Sequence, residues 1–147
     1  MLACVWDNST GRGGPAQPEG GGNLRTDETL ATAVLLSWFT DRRATAAQLR
    51  EFGLEGEDPR GYWGDTYPDV EGDAMGSVLW LWERAKKTAR TLSALRTEAR
   101  RALQWLVDDG HVTTVTVTSS DLGGDLFQLR AVLTLPDGST LPVEAEV

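Results

Sequence analysis

From Phe127 to the end of the chain an apolar residue recurs at every second position: Phe127, Leu129, Ala131, Leu133 and Leu135, then Leu141, Val143, Ala145 and Val147. Successive side chains of a strand point to opposite faces, so this period constrains the C-terminal part to half-buried strands with one face on a core. Pro136-Asp137-Gly138-Ser139 between the two runs reads as a hairpin turn. Val112 to Thr118 is rich in β-branched residues and adds an earlier strand, with Ser119 to Gly124 as a turn. Pro142 has no N–H to give to a ladder, which places the last strand at an edge. An edge invites another chain to pair, and Leu141, Val143 and Ala145 are the candidate residues for such pairing.

A long amphipathic helix precedes the strands. Between Thr88 and Asp109 the residues Leu92, Leu95, Ala99, Ala102, Leu103 and Leu106 form an apolar stripe, with Arg90, Arg96, Arg100 and Arg101 largely off it. Gly110 supplies the left-handed residue that closes such a helix. The stripe is expected to pack on its own sheet.

Further towards the N-terminus, Leu30, Ala33, Val34, Ser37 and Trp38 keep helical spacing, which predicts a helix from about Asp27 to Phe39 capped by Thr26 or Asp27. A short second helix is expected over Thr45 to Phe52, ended by Gly53, and a third capped by Gly72 or Asp73 with Met75, Val78, Leu79 and Trp82 on one face. Between them Leu54 to Gly72 is irregular, with prolines and glycines among Tyr62, Trp63 and Tyr67. Long irregular segments inside compact domains are usually functional or disordered, and these aromatics argue for packing against something. Residues 1–23 read as a glycine- and proline-rich arm in which Met1 to Trp6 could form a strand and Asp7 to Asn23 a flexible loop; residues 24–147 read as one domain.

Composition excludes several functions. The chain has 147 residues, a formal net charge of −8 and 40% apolar residues with six tryptophans, which suits one folded domain and argues against a nucleic-acid or anionic-membrane surface. No apolar run approaches the ~20 residues of a membrane span, and no signal-peptide pattern is expected at the N-terminus. The single cysteine, Cys4, permits no internal disulfide and reads as a small, partly buried side chain. His111 is the one histidine, so a zinc site or serine triad has little to draw on. No cofactor is expected. Acids around the central loop, Asp41, Asp58, Asp65, Asp69, Glu71 and Asp73, keep two-carboxylate glycan chemistry as a competing class, although aspartates in glycine-rich loops are mostly turn formers.

The segment from Leu30 to Trp82 mixes arginine, aspartate, glycine and aromatic residues, a composition enriched where proteins bind proteins. Asp41, Arg42, Arg43, Arg60, Tyr62, Trp63 and Asp65 are its candidate residues, either as an internal brace or as a partner interface. Both roles stay open from the residues alone. Arg42 and Arg43 also fit the plain role of cations beyond a helix C-terminus.

The residues Leu30-Ala31-Thr32-Ala33-Val34 with Ser37, Phe39-Thr40-Asp41-Arg42-Arg43-Ala44, Arg60-Gly61-Tyr62-Trp63-Gly64-Asp65, Gly76-Ser77 with Leu79-Trp80, and Ala102-Leu103-Gln104-Trp105-Leu106 with Gly110 resemble the small baseplate protein of Mu-like contractile-tailed phages. The resemblance runs from about Leu24 to Val117. Tyr62-Trp63 stand where the family pattern has a tryptophan pair. The resemblance implies a small α+β protein: N-terminal helices and a long helix packed on a mostly antiparallel C-terminal sheet. It implies a structural wedge-like subunit in the virion tail baseplate, assembled in the host cytoplasm, with the stripe residues Leu92, Leu95, Ala99, Leu103 and Leu106 packing in part on their own sheet and in part in a helical bundle with wedge partners. The implied partners are larger wedge proteins and the tail sheath, with tube or spike-hub proteins as further candidates; no membrane or nucleic acid is implied. Related lysozyme-like wedge proteins carry a Glu-Pro-Arg motif after the long helix, and Asp108-Asp109-Gly110 stand here instead, so that bundle contact does not carry over. The competing classes are a glycan-active baseplate enzyme and a tail-assembly chaperone.

Overall fold

A computed structural model describes residues 3–10, 12–16, 29–67, 71, 74–82, 88–124 and 126–147. The C-terminal alternation becomes a three-stranded antiparallel sheet of β3 (Thr114–Asp121), β4 (Phe127–Thr134) and β5 (Thr140–Glu146), in that spatial order. Val117, Ala131 and Val143 lie in register across it, as do Leu133 with Leu141 and Leu129 with Ala145. These residues form the inner face, while Thr116, Arg130 and Glu144 face outwards. The turn between β4 and β5 is closed by Leu135 N–H to Ser139 O at 2.9 Å. Asp137 accepts from Ser139 N–H at 2.8 Å and from its hydroxyl at 2.6 Å, and these bonds lower the Asp137 pKa.

Helix α3 (Ala89–Ala102) lies over the inner face, its N-terminus capped by Thr88 Oγ1, which accepts Thr91 N–H at 3.0 Å. The single helix expected from Thr88 to Asp109 is broken at Leu103, and a short α4 (Gln104–Asp108) follows. Leu103 N–H reaches Arg100 O and Leu106 N–H reaches Leu103 O, the tightened spacing of a three-residue turn. Gly110, at φ 75°, ends α4 as the sequence requires.

The stripe is consumed by the chain itself. Leu95, Ala99, Leu103 and Leu106 are each 0% exposed, in one core cluster with Leu129, Ala131 and Leu133. This corrects the expectation of a helical bundle with partners through these residues: a side chain with no accessible surface offers none to another protein. Leu92 alone of the five is only partly buried.

Helix α1 (Ala31–Phe39) is shorter than expected, and Thr26, Asp27 and Glu28 lie outside the described residues. Thr32, Ala33, Val34, Leu35, Ser37 and Trp38 are all buried, because α1 is covered on two sides. One side meets α3, where Trp38 Nε1–H donates to Ala99 O at 3.0 Å. The other meets an N-terminal hairpin of β1 (Cys4–Asp7) and β2 (Arg12–Pro15), whose Trp6 stacks on Phe39 with ring centroids 3.6 Å apart. Arg12–Pro15 is thus a strand where the sequence reading has flexible loop, and Gly13 stands opposite Trp6 in it, with the indole at ordinary contact distance. Residues 17–23 of the expected arm lie outside the described residues. Cys4 is partly buried, as expected.

Helix α2 (Ala46–Glu51) begins with a reciprocal cap between Thr45 and Gln48, and Gly53 at φ 68° closes it. It encloses a second, smaller core of Ala44, Leu49, Val78 and Leu81, bordered by Phe52, Trp80 and Trp82. The expected third helix is reduced, among the described residues, to one three-residue-per-turn segment, Leu79–Trp82. Gly76 has φ 92°, outside any right-handed helix, and Met75 is exposed rather than on a buried face. Gly72 and Asp73 lie outside the described residues.

Candidate partner interface and its internal brace

The central segment is tied to the end of α1 by a backbone strap. Ser77 N–H donates to Thr40 O at 3.0 Å and Arg42 N–H to Ser77 O at 2.9 Å, while the Ser77 hydroxyl donates to Trp38 O. Gly76 makes the approach possible: a Cβ there would fall inside the Thr40 carbonyl. Glu98 of α3 completes the strap. Its carboxylate accepts Val78 N–H at 2.9 Å and pairs with Arg101 at 2.8 Å, and Arg101 reaches Gly76 O at 3.3 Å.

Arg60 braces the central segment from within, one of the two roles the sequence leaves open for the arginine and aspartate group. Its guanidinium donates to Asp41 Oδ2 at 3.1 Å and lies over the Trp80 ring, 4.5 Å from the centroid. Trp80 Nε1–H in turn donates to Arg42 O at 3.1 Å. Arg60 adopts φ 52°, uncommon for a side chain that is not glycine, and its N–H is held by Asp58 Oδ1 at 3.0 Å. Both partners of the ion pair are 41% exposed, so the pair itself contributes little, about 0–1 kcal/mol. Its value is positional.

Arg43 is exposed, and its backbone passes against Gly61. Arg42 is half-buried and contributes its main chain to the strap. Asp65 accepts Met75 N–H at 3.0 Å and so fixes the turn Trp63–Thr66. Tyr62 is half-buried beside Gly64. Trp63, by contrast, is 78% exposed. Asp41, Arg60 and Asp65 therefore act inside the chain, whereas Trp63 faces out. The brace also borders a groove of about 570 Å³ whose walls include Trp6, Phe39, Trp80 and Leu126.

At the edge strand, Phe127 and Val147 exchange both backbone bonds, at 2.8 and 2.9 Å. In an antiparallel pair bonded positions alternate, so Leu141, Val143 and Ala145 turn their N–H and C=O towards β4 and their side chains into the core. They are not the pairing edge, which corrects that expectation. The outward backbone groups belong to Thr140, Pro142, Glu144 and Glu146. Glu146 is already engaged by the N-terminal hairpin: Trp6 Nε1–H donates to its carbonyl at 3.1 Å and its N–H donates to Asn8 Oδ1 at 3.3 Å. On β5 the groups left open are those of Thr140, Pro142 and Glu144; the opposite edge of the sheet is β3.

Three residues of the strap are not among the candidate residues that the sequence offers. Glu98 sits at helical spacing between Leu95 and Ala102, a carboxylate inside the stripe that signals a buried partner. Gly76 and Ser77 carry no local signal of a strap, since their role depends on Thr40 approaching from a distant part of the chain.

Comparison with known proteins accords with this geometry. The family described as phage protein GP46 matches residues 30–140, from the start of α1 to the first residue of β5. The baseplate protein gp46 of Escherichia phage Mu is 43% identical over 143 residues, covering 97% of this chain and 92% of that protein. The Mu-like prophage FluMu protein gp46 of Haemophilus influenzae is 39% identical over 139 residues, covering 95% and 90%. The chain therefore belongs to the phage protein GP46 family, a family of Mu-like phage baseplate proteins.

Proposed function

We propose that this chain is a structural subunit of a contractile tail baseplate, a wedge-like piece that joins larger wedge proteins around the tube and offers a sheet edge to the first sheath ring. The observation that carries the baseplate role is likeness to the Mu baseplate protein across 97% of the chain. Support for a non-catalytic role comes from Asp41 and Asp65, whose carboxylates hold Arg60 and the Met75 amide. The sheath contact rests on the open edge at Thr140, Pro142 and Glu144, where an added strand would gain main-chain hydrogen bonds. Wedge contacts use the outer surface, since the α3 stripe is enclosed.

Electron cryomicroscopy of purified tails tests the reading. Density for this chain is expected in the ring between tube and first sheath layer, with β5 beside a sheath segment. Absence from the particle favours a chaperone, and a position on a spike tip favours a glycan-active role. Deleting β5 would remove Val143 and Ala145 from the core, so Glu144→Pro is the cleaner probe of the edge. It removes an outward N–H and leaves the β4 backbone ladder in place, at the loss of the exposed ion pair between Arg130 and Glu144. Sheathless baseplates are expected; normally sheathed tails from this variant would overturn the edge contact.

A further inference from the structure

Trp63 and Tyr67 are 78% and 85% exposed, with Met75, at 37%, joined to the same turn through Asp65. Isolated apolar side chains on a surface need no explanation, but two large aromatics on one short turn are unusual. The turn is held on several sides. Asp65 N–H donates to Tyr62 O and Tyr67 N–H to Gly64 O, each at 3.1 Å. Tyr62 packs so closely over Gly64 that no side chain fits at 64. Its ring lies 5.4 Å from that of Trp63. The aromatic pair is thus presented on a hydrogen-bonded turn, which reduces the cost of fixing it on binding.

Charge selects the partner. Between Arg50 and Met75 the sequence holds eight acidic residues against two arginines. Both arginines already face carboxylates of this chain: Arg50 meets Glu55 at 2.9 Å and Arg60 meets Asp41 at 3.1 Å. Even with Arg43, exposed beside Gly61, counted in, the segment that carries the aromatic turn is net acidic and favours a basic partner over an acidic one. Aromatic faces bind guanidinium and ammonium groups directly, the arrangement Arg60 adopts over Trp80 within this molecule. We propose that Trp63 and Tyr67 form a docking point for an arginine- or lysine-bearing segment of a neighbouring protein. This deepens the baseplate reading by naming the chemistry of one partner, and rests on it for the identity of that neighbour.

The test places the photo-crosslinker p-benzoylphenylalanine at position 63, and in a control at Thr116 on the outer sheet face, in cells producing the whole tail. Crosslinked peptides are sequenced from both lysate and purified tails. The expected result is a single partner segment carrying arginine or lysine next to the link from position 63, with the yield falling several-fold at high salt. Trp63→Ala should weaken association with that partner about 30-fold, as for a hot spot. A link to an acidic or uncharged segment, no link from position 63, or the same partner from Thr116 would overturn the proposal. Absence of the chain from tails would defeat the baseplate reading instead, and the lysate links would still decide this one.

Discussion

The helix α3 with its sheet and the central segment from Thr40 to Trp82 solve the same problem by opposite means. In the first, periodicity does the work. A stripe at helical spacing meets a face at strand spacing, and Leu95, Ala99, Leu103 and Leu106 disappear against Leu129, Ala131 and Leu133. In the second there is little period. The chain is held by single contacts: the Ser77 strap, the Glu98 carboxylate on Val78 N–H, and Arg60 between Asp41 and Trp80. Burial is diffuse and tolerant of detail, whereas each strap contact is unique. A periodic region encloses its own apolar side chains, and an aperiodic one can keep aromatics on the outside without losing its shape. Trp63 and Tyr67 are the result.

The sharpest way to break this contrast is to weaken each region at its own centre. Leu103→Ala removes a wholly enclosed side chain at the junction of α3 and α4 and should destabilise the fold by about 4 kcal/mol. Denaturant unfolding followed by circular dichroism would measure it. The loss should be global, with hydrogen exchange accelerating throughout the sheet. A loss below about 1 kcal/mol would mean that the site collapses around the change, and that the core is far less closely packed than its burial indicates.

Gly76→Ala should have a smaller and more local effect. The residue combines φ 92° with contact against the Thr40 carbonyl, so a methyl group strains the backbone and pushes the strap apart. About 2–3 kcal/mol is expected. Amides of Arg42, Ser77 and Val78 should exchange faster while those of β3 to β5 keep most of their protection. Equal loss in the sheet would show that strap and core are one cooperative unit, and the distinction drawn between them would fail.

These differences explain what was legible in the sequence. Strands β3 to β5, their turn and the extent of the stripe follow from residue spacing, because a period states both the element and its buried face. Thr45 and Gly53 mark α2 for a comparable local reason: a cap and a left-handed terminator act on their own neighbours. The strap could not be read, since Gly76 has meaning only once Thr40 lies against it. Of the N-terminal hairpin the sequence offers the first strand but not the second, because Gly13 looks like flexibility until Trp6 is seen across it. At the candidate site, the sequence left brace and interface open for the whole group. Spacing cannot tell that Arg60 turns inward while Trp63, three positions on, turns out.

The smallest expected effect compares the two hairpin turns that bracket the chain. Asp137 accepts from the Ser139 hydroxyl and amide, and Asp7 from the hydroxyls of Ser9 and Thr10 and the Ser9 amide. Hydrogen bonds to the ionised form lower both carboxyl groups below their ordinary 3.8. A depressed folded pKa stabilises the fold above the unfolded value and loses that contribution as pH falls through the folded one. Asp137→Asn should therefore reduce stability slightly at neutral pH, and the gap from the unmodified protein should close as pH falls through the lowered folded pKa of Asp137. The same holds for Asp7→Asn, with one difference. The β4–β5 turn joins two strands of the main sheet, so its loosening should be seen in global unfolding. The Asp7 turn leads only from β1 to β2, and its loosening should be confined to the hairpin and to the cover it places over Glu146. If Asp7→Asn instead lowers global stability as much as Asp137→Asn, the hairpin belongs to the cooperative core, and the end of β5 is closed as firmly as the sheet itself.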